Sequence, residues 1–310
     1  MRAAKNGAME PTKLFGYTTA AEIRSDLERT WSVLDRLIEA VPPERWKTKY
    51  GPDWTYQDVP YHLAYFDRVM VADPIEFGTA LQDRFECLTI GQLNDWNRAE
   101  FARRRPGQTA QESIAEMLRQ RERIRALIAP LTDADLQKPA FSHFFGVGFS
   151  TVGSALAGAR QHAFSEGWEL AQRLGRRDIT MPESVFHSGV AAYVGLMGSM
   201  VDHEAARRIG HFTIVMDMPG YASGAWTIRV AEGGASVTDG RAQDADLVMT
   251  LSTDTFMTMF KKLRNPALLM LTRKIRVRGL SKMGTFGKLF PDPQLDAPMR
   301  LGVESAAAAA

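Results

Sequence analysis

The spacing of apolar residues changes along this chain, and this change constrains the fold more than any other feature. In four segments between about residue 19 and residue 174, apolar side chains recur every three or four positions, which is typical of amphipathic helices. Residues 74–110 are mixed and show no clear period. After about residue 210, short alternating runs bounded by Gly, Asp and Pro indicate strands and turns. A chain of 310 residues is long enough for two domains. We therefore predict a helical domain followed by an α+β domain.

The first half contains four helix-patterned segments. The first has an apolar stripe at helical spacing, formed by Ile23, Leu27, Trp31, Leu34, Leu37, Ile38 and Val41. In the third, Arg and Glu alternate with the apolar positions and are expected to face solvent. The predicted extents are 19–41, 54–69, 110–131 and 151–174. Four such helices predict a four-helix bundle over residues 18–182, preceded by a flexible leader at 1–17.

The second half is predicted to form a mostly antiparallel sheet with helices collected on one side. A connecting helical segment spans 183–204, the α+β domain spans 205–295, and a tail follows at 296–310. The predicted strands are 211–216, 225–230, 235–238, 246–251 and 274–277. The predicted helices are 255–263, 266–271 and 281–290.

Composition excludes several classes of protein. The formal charge of +2 is too small for a global nucleic-acid surface. A single cysteine, Cys87, permits no internal disulfide and suits a reducing compartment. No stretch approaches the length of a membrane span or of a signal-peptide core, so we expect a cytoplasmic protein. No phosphate-binding loop or dinucleotide fingerprint is present.

Two histidines and one glutamate are the strongest candidates for chemistry. His162 and Glu166 are four residues apart, so both side chains leave the same face of the fourth helix. His62 lies in the second helix, and a bundle interior can bring the three together. Two imidazoles and a carboxylate would bind a divalent metal and leave positions for water or substrate. The alternative is a buried histidine with an ordinary hydrogen bond and a simple polar pair along one helix.

Other candidates are weaker. His143 precedes the fourth helix in a Phe- and Gly-rich loop and could reach the mouth of the bundle. Glu169 falls on nearly the same face as His162, where a supporting or solvent role is expected. Cys87 has no patterned partner that would mark it as a nucleophile. The remaining histidines, at positions 187, 203 and 211, are expected to be structural.

Four pieces of the first half, in order and spacing, carry a family resemblance. They are the Leu37–Pro42 stretch with Trp46, the Trp54-Thr55 to His62-Leu63 helix, the Leu131–Leu136 turn, and the helix centred on His162. Together they resemble the DinB-type four-helix bundles, a group that includes mycothiol-dependent maleylpyruvate isomerases. The resemblance implies a metal held by His62, His162 and Glu166. The family usually presents His-x3-His or Glu-x3-His on its last ligand helix, whereas here the carboxylate comes second.

The second half resembles the sterol carrier protein 2 domain. The resemblance rests on the strands that end at Asp239-Gly240, the run Ala245–Thr253, the Phe256 helix, and Ile275–Leu280. It implies an apolar tunnel. Whether the following residues line such a tunnel or simply fill a core is left open by their spacing: Phe256, Met257, Met259, Phe260, Leu268, Leu269, Met270 and Leu271.

The same domain carries a basic cluster: Lys261, Lys262, Arg264, Arg273, Lys274, Arg276, Arg278, Lys282 and Lys288. The cluster could meet anionic lipid, a carboxylate or a phosphate, or could be a solvated face. If both domains shared one site, Arg229, Arg276 or Arg278 could hold a substrate carboxylate.

The resemblances together imply a metal-dependent isomerase or transferase that uses a low-molecular-weight thiol. Zinc is expected first, with nickel, manganese or iron as alternatives. The expected substrate is a small hydrophobic or carboxylated molecule. We expect no nucleic-acid partner and no transmembrane segment. The choice between monomer and homodimer stays open. The rival hypothesis is a lipid or sterol carrier whose bundle is not catalytic.

Overall fold

The computed structural model describes residues 19–51, 53–78, 90–140, 151–231 and 234–291. They form two compact units that divide between Pro182 and Glu183. The first unit is helical. Its helices are α1 (Ala20–Glu39), α2 (Asp58–Phe66), α3 (Asp73–Phe77), α4 (Ile90–Arg103), α5 (Ala110–Ile128) and α6 (Val152–Leu174). The predicted leader, at 1–17, and the predicted tail lie outside the described residues.

The sequence determines where α1 begins and which face it buries. Thr19 accepts a hydrogen bond from the backbone N–H of Glu22, and the Glu22 side chain accepts one from the Thr19 N–H in return. All seven predicted stripe residues are buried, which confirms the predicted apolar face. The α1 helix packs mainly against α6, and α2 packs against α5. These two pairs form the helical framework around the candidate site.

Helices α2 and α3 are joined by a π-helical segment, Asp67–Ala72, so that one continuous rod runs from 58 to 77. Such segments insert an extra residue into a helical turn and are frequent near functional sites. Here the insertion follows His62 by one turn. It places Asp67 in the interior beside α5.

One prediction for α5 was wrong. Its charged residues were expected to face solvent, but Arg121 is fully buried. Its guanidinium pairs with Asp35 of α1, and its Nε lies 3.7 Å from Oδ2 of Asp67. The same guanidinium lies over the ring of Trp31, 5.5 Å from the centroid. Leu118, an apolar residue of the same helix, is exposed.

The buried carboxyl of Asp67 predicts a pH dependence of stability. Burial raises its pKa from 3.8 to about 7, against the opposing attraction of Arg121. Between these values the folded state holds a proton that the unfolded state has lost. The contribution of the Asp67 proton to the free energy of unfolding is therefore fully present below pH 4 and is lost as pH rises through about 7. At 1.36 kcal/mol per pKa unit, the loss is on the order of 4 kcal/mol.

We expect the free energy of unfolding of the Asp67→Asn variant to change less between pH 4 and pH 8 than that of the unmodified chain. Urea unfolding across this range measures the difference. Asp95→Asn, at an exposed position in α4, is the matched control and should leave the pH profile unchanged. Parallel profiles for the Asp67→Asn variant and the unmodified chain would show that Asp67 does not titrate there.

The second unit is a five-stranded sheet with helices. Its sheet order is β3-β2-β1-β4-β5, with β1 and β4 parallel and the other three pairs antiparallel. The mostly antiparallel sheet is thus confirmed, with one parallel pair. Its elements are α7 (Glu183–Ser199), α8 (His203–Ile209), β1 (Phe212–Met218), β2 (Gly224–Ala231), β3 (Gly234–Asp239), β4 (Leu247–Leu251), α9 (Thr253–Phe260), α10 (Pro266–Leu271), β5 (Ile275–Arg278) and α11 (Met283–Leu289).

Alternation along the strands gives the sheet two different faces. One face carries Ile214, Ile228 and Met249, which are buried. Helix α7 packs on β2 and β3. The segment 183–204, expected to be a connection, therefore lies within this second unit.

Of the helices that the structure describes, none is by itself long and apolar enough to cross a membrane, and only the bent pair of α7 and α8 meets that test together.

Gly279 ends β5 for a steric reason. Its φ of +85° is a conformation that other residues rarely adopt, and a Cβ there would lie 2.2 Å from the carbonyl oxygen of Asp246. The close approach holds the turn after β5 against the start of β4.

Candidate functional site

The two predicted histidines meet inside the helical unit. His62 of α2 and His162 of α6 are a hundred residues apart in sequence, and their Nε2 atoms lie 2.9 Å from each other. His62 is buried and His162 is half-buried. At this distance one imidazole can donate its N–H to the other. The fold therefore brings together two side chains of a type that can bind a metal.

Aromatic rings surround the histidine pair. The ring of Phe66 stacks on His162 with 3.6 Å between centroids and 8° between planes. The Trp54 ring lies 4.6 Å from the His62 ring, and Phe101 of α4 lies 6.2 Å from it. These rings form apolar walls around the two imidazoles. They suit an apolar ligand.

A polar turn positions Trp54 and the start of α2. The carboxylate of Asp58 accepts hydrogen bonds from the backbone N–H and the hydroxyl of Thr55, at 2.7 and 2.6 Å. Arg104, at the end of α4, pairs with the other oxygen of Asp58. These bonds fix the entry of the chain into α2, one turn before His62.

Glu166 lies one turn after His162 on α6 and is buried. The structure does not, however, assemble the predicted three-ligand set. Within the described ranges, no three side chains among His, Cys, Asp and Glu lie together as a metal-binding group. The structure therefore brings the two histidines together. Glu166 as the third ligand stays a prediction.

Tyr50 is a neighbour of Glu166 that sequence reasoning missed. Burial raises the pKa of its phenol well above 10, and the negative charges of Glu166 and Glu169 raise it further. The hydroxyl is buried and has no hydrogen-bond partner among the described side chains and backbone. The guanidinium of Arg173 covers the ring at 4.6 Å and pairs with Glu169 at 2.7 Å. A neutral phenol in such a position is a potential hydrogen-bond donor to a ligand.

The spacing of the two imidazoles allows a test of fit to a metal. Two nitrogens bound at about 2.05 Å to one ion would lie ~2.9 Å apart at a right angle and ~3.3 Å apart at a tetrahedral angle. The observed 2.9 Å matches the first arrangement and is a few tenths of an ångström short of the second. The distance is thus that of two adjacent ligands at a right angle, and it is equally that of a direct hydrogen bond between the two imidazoles.

The other candidates are spread over the chain. His143 and Cys87 lie outside the described residues. Nδ1 of His187 lies 2.9 Å from the backbone carbonyl oxygen of Ser223, and the ring packs on Trp226, which supports its predicted structural role. A cavity of about 510 Å³ runs beside α2 and α5, but neither histidine of the pair lines it.

The three predicted arginines lie on the sheet of the second unit. Arg276 and Arg278 are opposite Thr250 and Val248 of β4, and Arg229 is opposite Thr213 of β1. All three project from the face opposite to that of Ile214 and Met249. Arg278 also lines a cavity of about 330 Å³ together with Asp217 and Arg241. Their predicted role in holding a substrate carboxylate stays a prediction.

Comparison with protein families accounts for both units. Residues 26–165 match the DinB superfamily, and residues 198–290 match the SCP-2 sterol transfer family. The chain thus joins a DinB-like region to an SCP2-like region, which we call the DinB domain and the SCP2 domain. The histidine pair thus belongs to the DinB domain, since His62 and His162 both fall within the matched residues. The exposed arginines belong to the SCP2 domain.

Solved structures give weaker likenesses. The chain is 11% identical to the mycothiol-dependent maleylpyruvate isomerase over 78% of this chain and 90% of that one, with a TM-score of 0.42. It is 18% identical to sterol carrier protein 2 from Yarrowia lipolytica, over 33% of this chain and 93% of that one, with a TM-score of 0.27. No curated protein matches the chain. At these values the likenesses do not bear on activity.

Proposed function

We propose that the DinB domain is a divalent-metal enzyme that acts on a small hydrophobic or carboxylated molecule with the help of a low-molecular-weight thiol. The observation that carries the proposal is the 2.9 Å approach of two imidazole nitrogens from separate helices. If the pair were purely structural, an amide in place of one ring could form the same hydrogen bond. Two imidazoles are therefore a reason to test directly for metal binding.

We propose the following roles for the residues of this site. His62 and His162 would hold the metal, zinc first and nickel, manganese or iron as alternatives. Glu166 would be the third ligand. A metal bound there would supply Lewis-acid chemistry, which favours the deprotonated form of a thiol or water. Trp54 and Phe66 would hold the apolar part of the substrate.

Tyr50 would donate a hydrogen bond to a substrate oxygen, because its pKa is raised and its proton is retained at neutral pH. Arg229, Arg276 and Arg278 would hold a substrate carboxylate only if both domains contribute to one site. Replacing each arginine with Ala and finding KM and kcat unchanged would contradict that part of the proposal.

An activity screen tests the proposal. The purified full chain, loaded with Zn²⁺, Ni²⁺ or Mn²⁺, is mixed with a panel of thiols and of electrophilic carboxylated or apolar substrates. Substrate absorbance and free thiol are followed. We expect turnover that requires both metal and thiol and that falls to background in the His162→Ala variant. The His187→Ala variant, altered at a histidine of the SCP2 domain, should keep its activity.

A second candidate function is a lipid or sterol carrier, and the SCP-2 match over 198–290 favours it. In that case the bundle would be a non-catalytic partner of the SCP2 domain. Organic extraction of the purified protein followed by mass spectrometry separates the two. Stoichiometric lipid with no bound metal would favour the carrier, whereas metal without lipid would favour the enzyme.

A further inference from the structure

Helix α10 of the SCP2 domain presents leucines to solvent instead of burying them. Leu268 is 57% exposed and Leu271 is 79% exposed, and they lie three residues apart on one face. Leu263, just before the helix, is 37% exposed. Of the leucines in α10, only Leu269 is buried in the domain. Leu268 and Leu271, which were expected to line a tunnel or fill a core, therefore do neither.

Cations flank these leucines. Arg264 follows Leu263, and Arg273 and Lys274 come directly after Thr272, which caps the end of α10. The backbone N–H of Arg273 donates to the carbonyl of Met270, and that of Lys274 donates to Leu269, so both cations are tied to the end of α10. We call these six residues the α10 surface: Leu263, Arg264, Leu268, Leu271, Arg273 and Lys274.

The α10 surface has a strong positive bias. Between Thr255 and Pro291 the chain has nine Lys and Arg residues and no Asp or Glu, while the whole chain has a formal charge of only +2. Among the described residues, Arg264, Arg273 and Lys274 form no ion pair with a carboxylate within 4 Å. Their charges are therefore available to an external anionic partner.

Exposed aliphatic side chains framed by cations are complementary to an anionic membrane surface. Leucines gain free energy by entering the boundary of the acyl chains, and nearby Lys and Arg are attracted to anionic headgroups. Nucleic acid would attract the same cations but would offer nothing to the leucines, since bases stack on aromatic side chains. We propose that the α10 surface docks the SCP2 domain on an anionic lipid bilayer. This proposal does not rest on the metal site.

Vesicle co-sedimentation of the full chain tests the proposal, with phosphatidylcholine vesicles prepared with and without phosphatidylserine. We expect binding to the anionic vesicles that weakens as salt is added. The pair Arg273→Asn and Lys274→Gln should weaken it by about 30-fold, from roughly a fivefold effect per cation. Asn suits position 273, where φ is +57°. The pair Leu268→Gln and Leu271→Gln should weaken it by at least about tenfold.

Matched controls use exposed residues elsewhere. Arg207→Gln with Arg208→Gln neutralises an adjacent pair at the end of α8, and Leu118→Gln alters an exposed leucine of α5. Neither should change vesicle binding. Controls that weaken binding as much as the α10 variants, or equal binding to neutral vesicles, would overturn the proposal. So would binding of RNA, without vesicle binding, that is lost in the Arg273→Asn, Lys274→Gln pair and kept in the leucine pair. Dimerisation in light scattering that depends on the leucines, without any vesicle binding, would overturn it too.

Discussion

Adding Zn²⁺ in excess is expected to raise the melting temperature of the helical domain, and the His162→Ala variant is expected to lose this effect. A ligand at 100 times its Kd stabilises the folded state by about 2.7 kcal/mol. For a unit of this size, that corresponds to a rise of roughly 5–10 °C. His162→Ala removes one of two nitrogens that lie 2.9 Å apart, so the remaining imidazole would hold the ion weakly.

The shift is measured with and without metal for each variant, so any loss of intrinsic stability cancels. His187→Ala is the control, because its ring lies beside the carbonyl of Ser223 in the SCP2 domain. Glu166→Gln separates two roles. A reduced shift would make Glu166 a ligand, and an unchanged shift would leave it as a neighbour of Tyr50. An equal rise in the His162→Ala variant would place the metal elsewhere.

Replacing Arg121 with Met is expected to destabilise the helical domain by about 3–5 kcal/mol at pH 8, because it leaves the buried carboxyl of Asp67 and the partly exposed carboxylate of Asp35 without their cation. Arg121 is fully buried and pairs with Asp35, and its Nε approaches Asp67. The loss should be smaller at pH 5, where Asp67 can hold a proton, since burial raises its pKa to about 7. Urea unfolding at both pH values measures it.

Arg119→Met is the matched control for Arg121. Arg119 lies on the same helix, is exposed, and pairs only with Glu116 among the described side chains, so its loss should cost less than about 1 kcal/mol. The double variant Arg121→Met with Asp67→Asn should recover part of the loss, because the buried charge is removed together with its partner. Equal losses at the two arginines would mean that Arg121 is not part of a buried network.

Much of the fold follows from the period of the apolar residues. The stripe of α1 and all five strands were predictable, since each repeats at its own spacing over enough residues. Helix α4 was not, because its apolar positions are sparse. The exposure of Leu268 and Leu271 was not predicted from the sequence. Their helix has only six residues, and Leu269 is the leucine that occupies its buried face.

The candidate site was predictable only in part. The meeting of His62 and His162 follows from family resemblance, since helical spacing does not say which faces of two distant helices meet. Tyr50 lies in a loop without periodicity, so no pattern marks it. Arg121 was placed in solvent because charge normally indicates an exposed face. Its partners come from two other helices, and only the tertiary structure brings them together.

The most direct test is elemental analysis of the untagged protein after reconstitution with Zn²⁺ and removal of excess ion, beside the His162→Ala and His187→Ala variants. Binding at the histidine pair predicts about one equivalent of metal in the unmodified protein and in the His187→Ala variant, and almost none in the His162→Ala variant. Metal absent from all three proteins, or retained equally in all three, would contradict a metal site at His62 and His162.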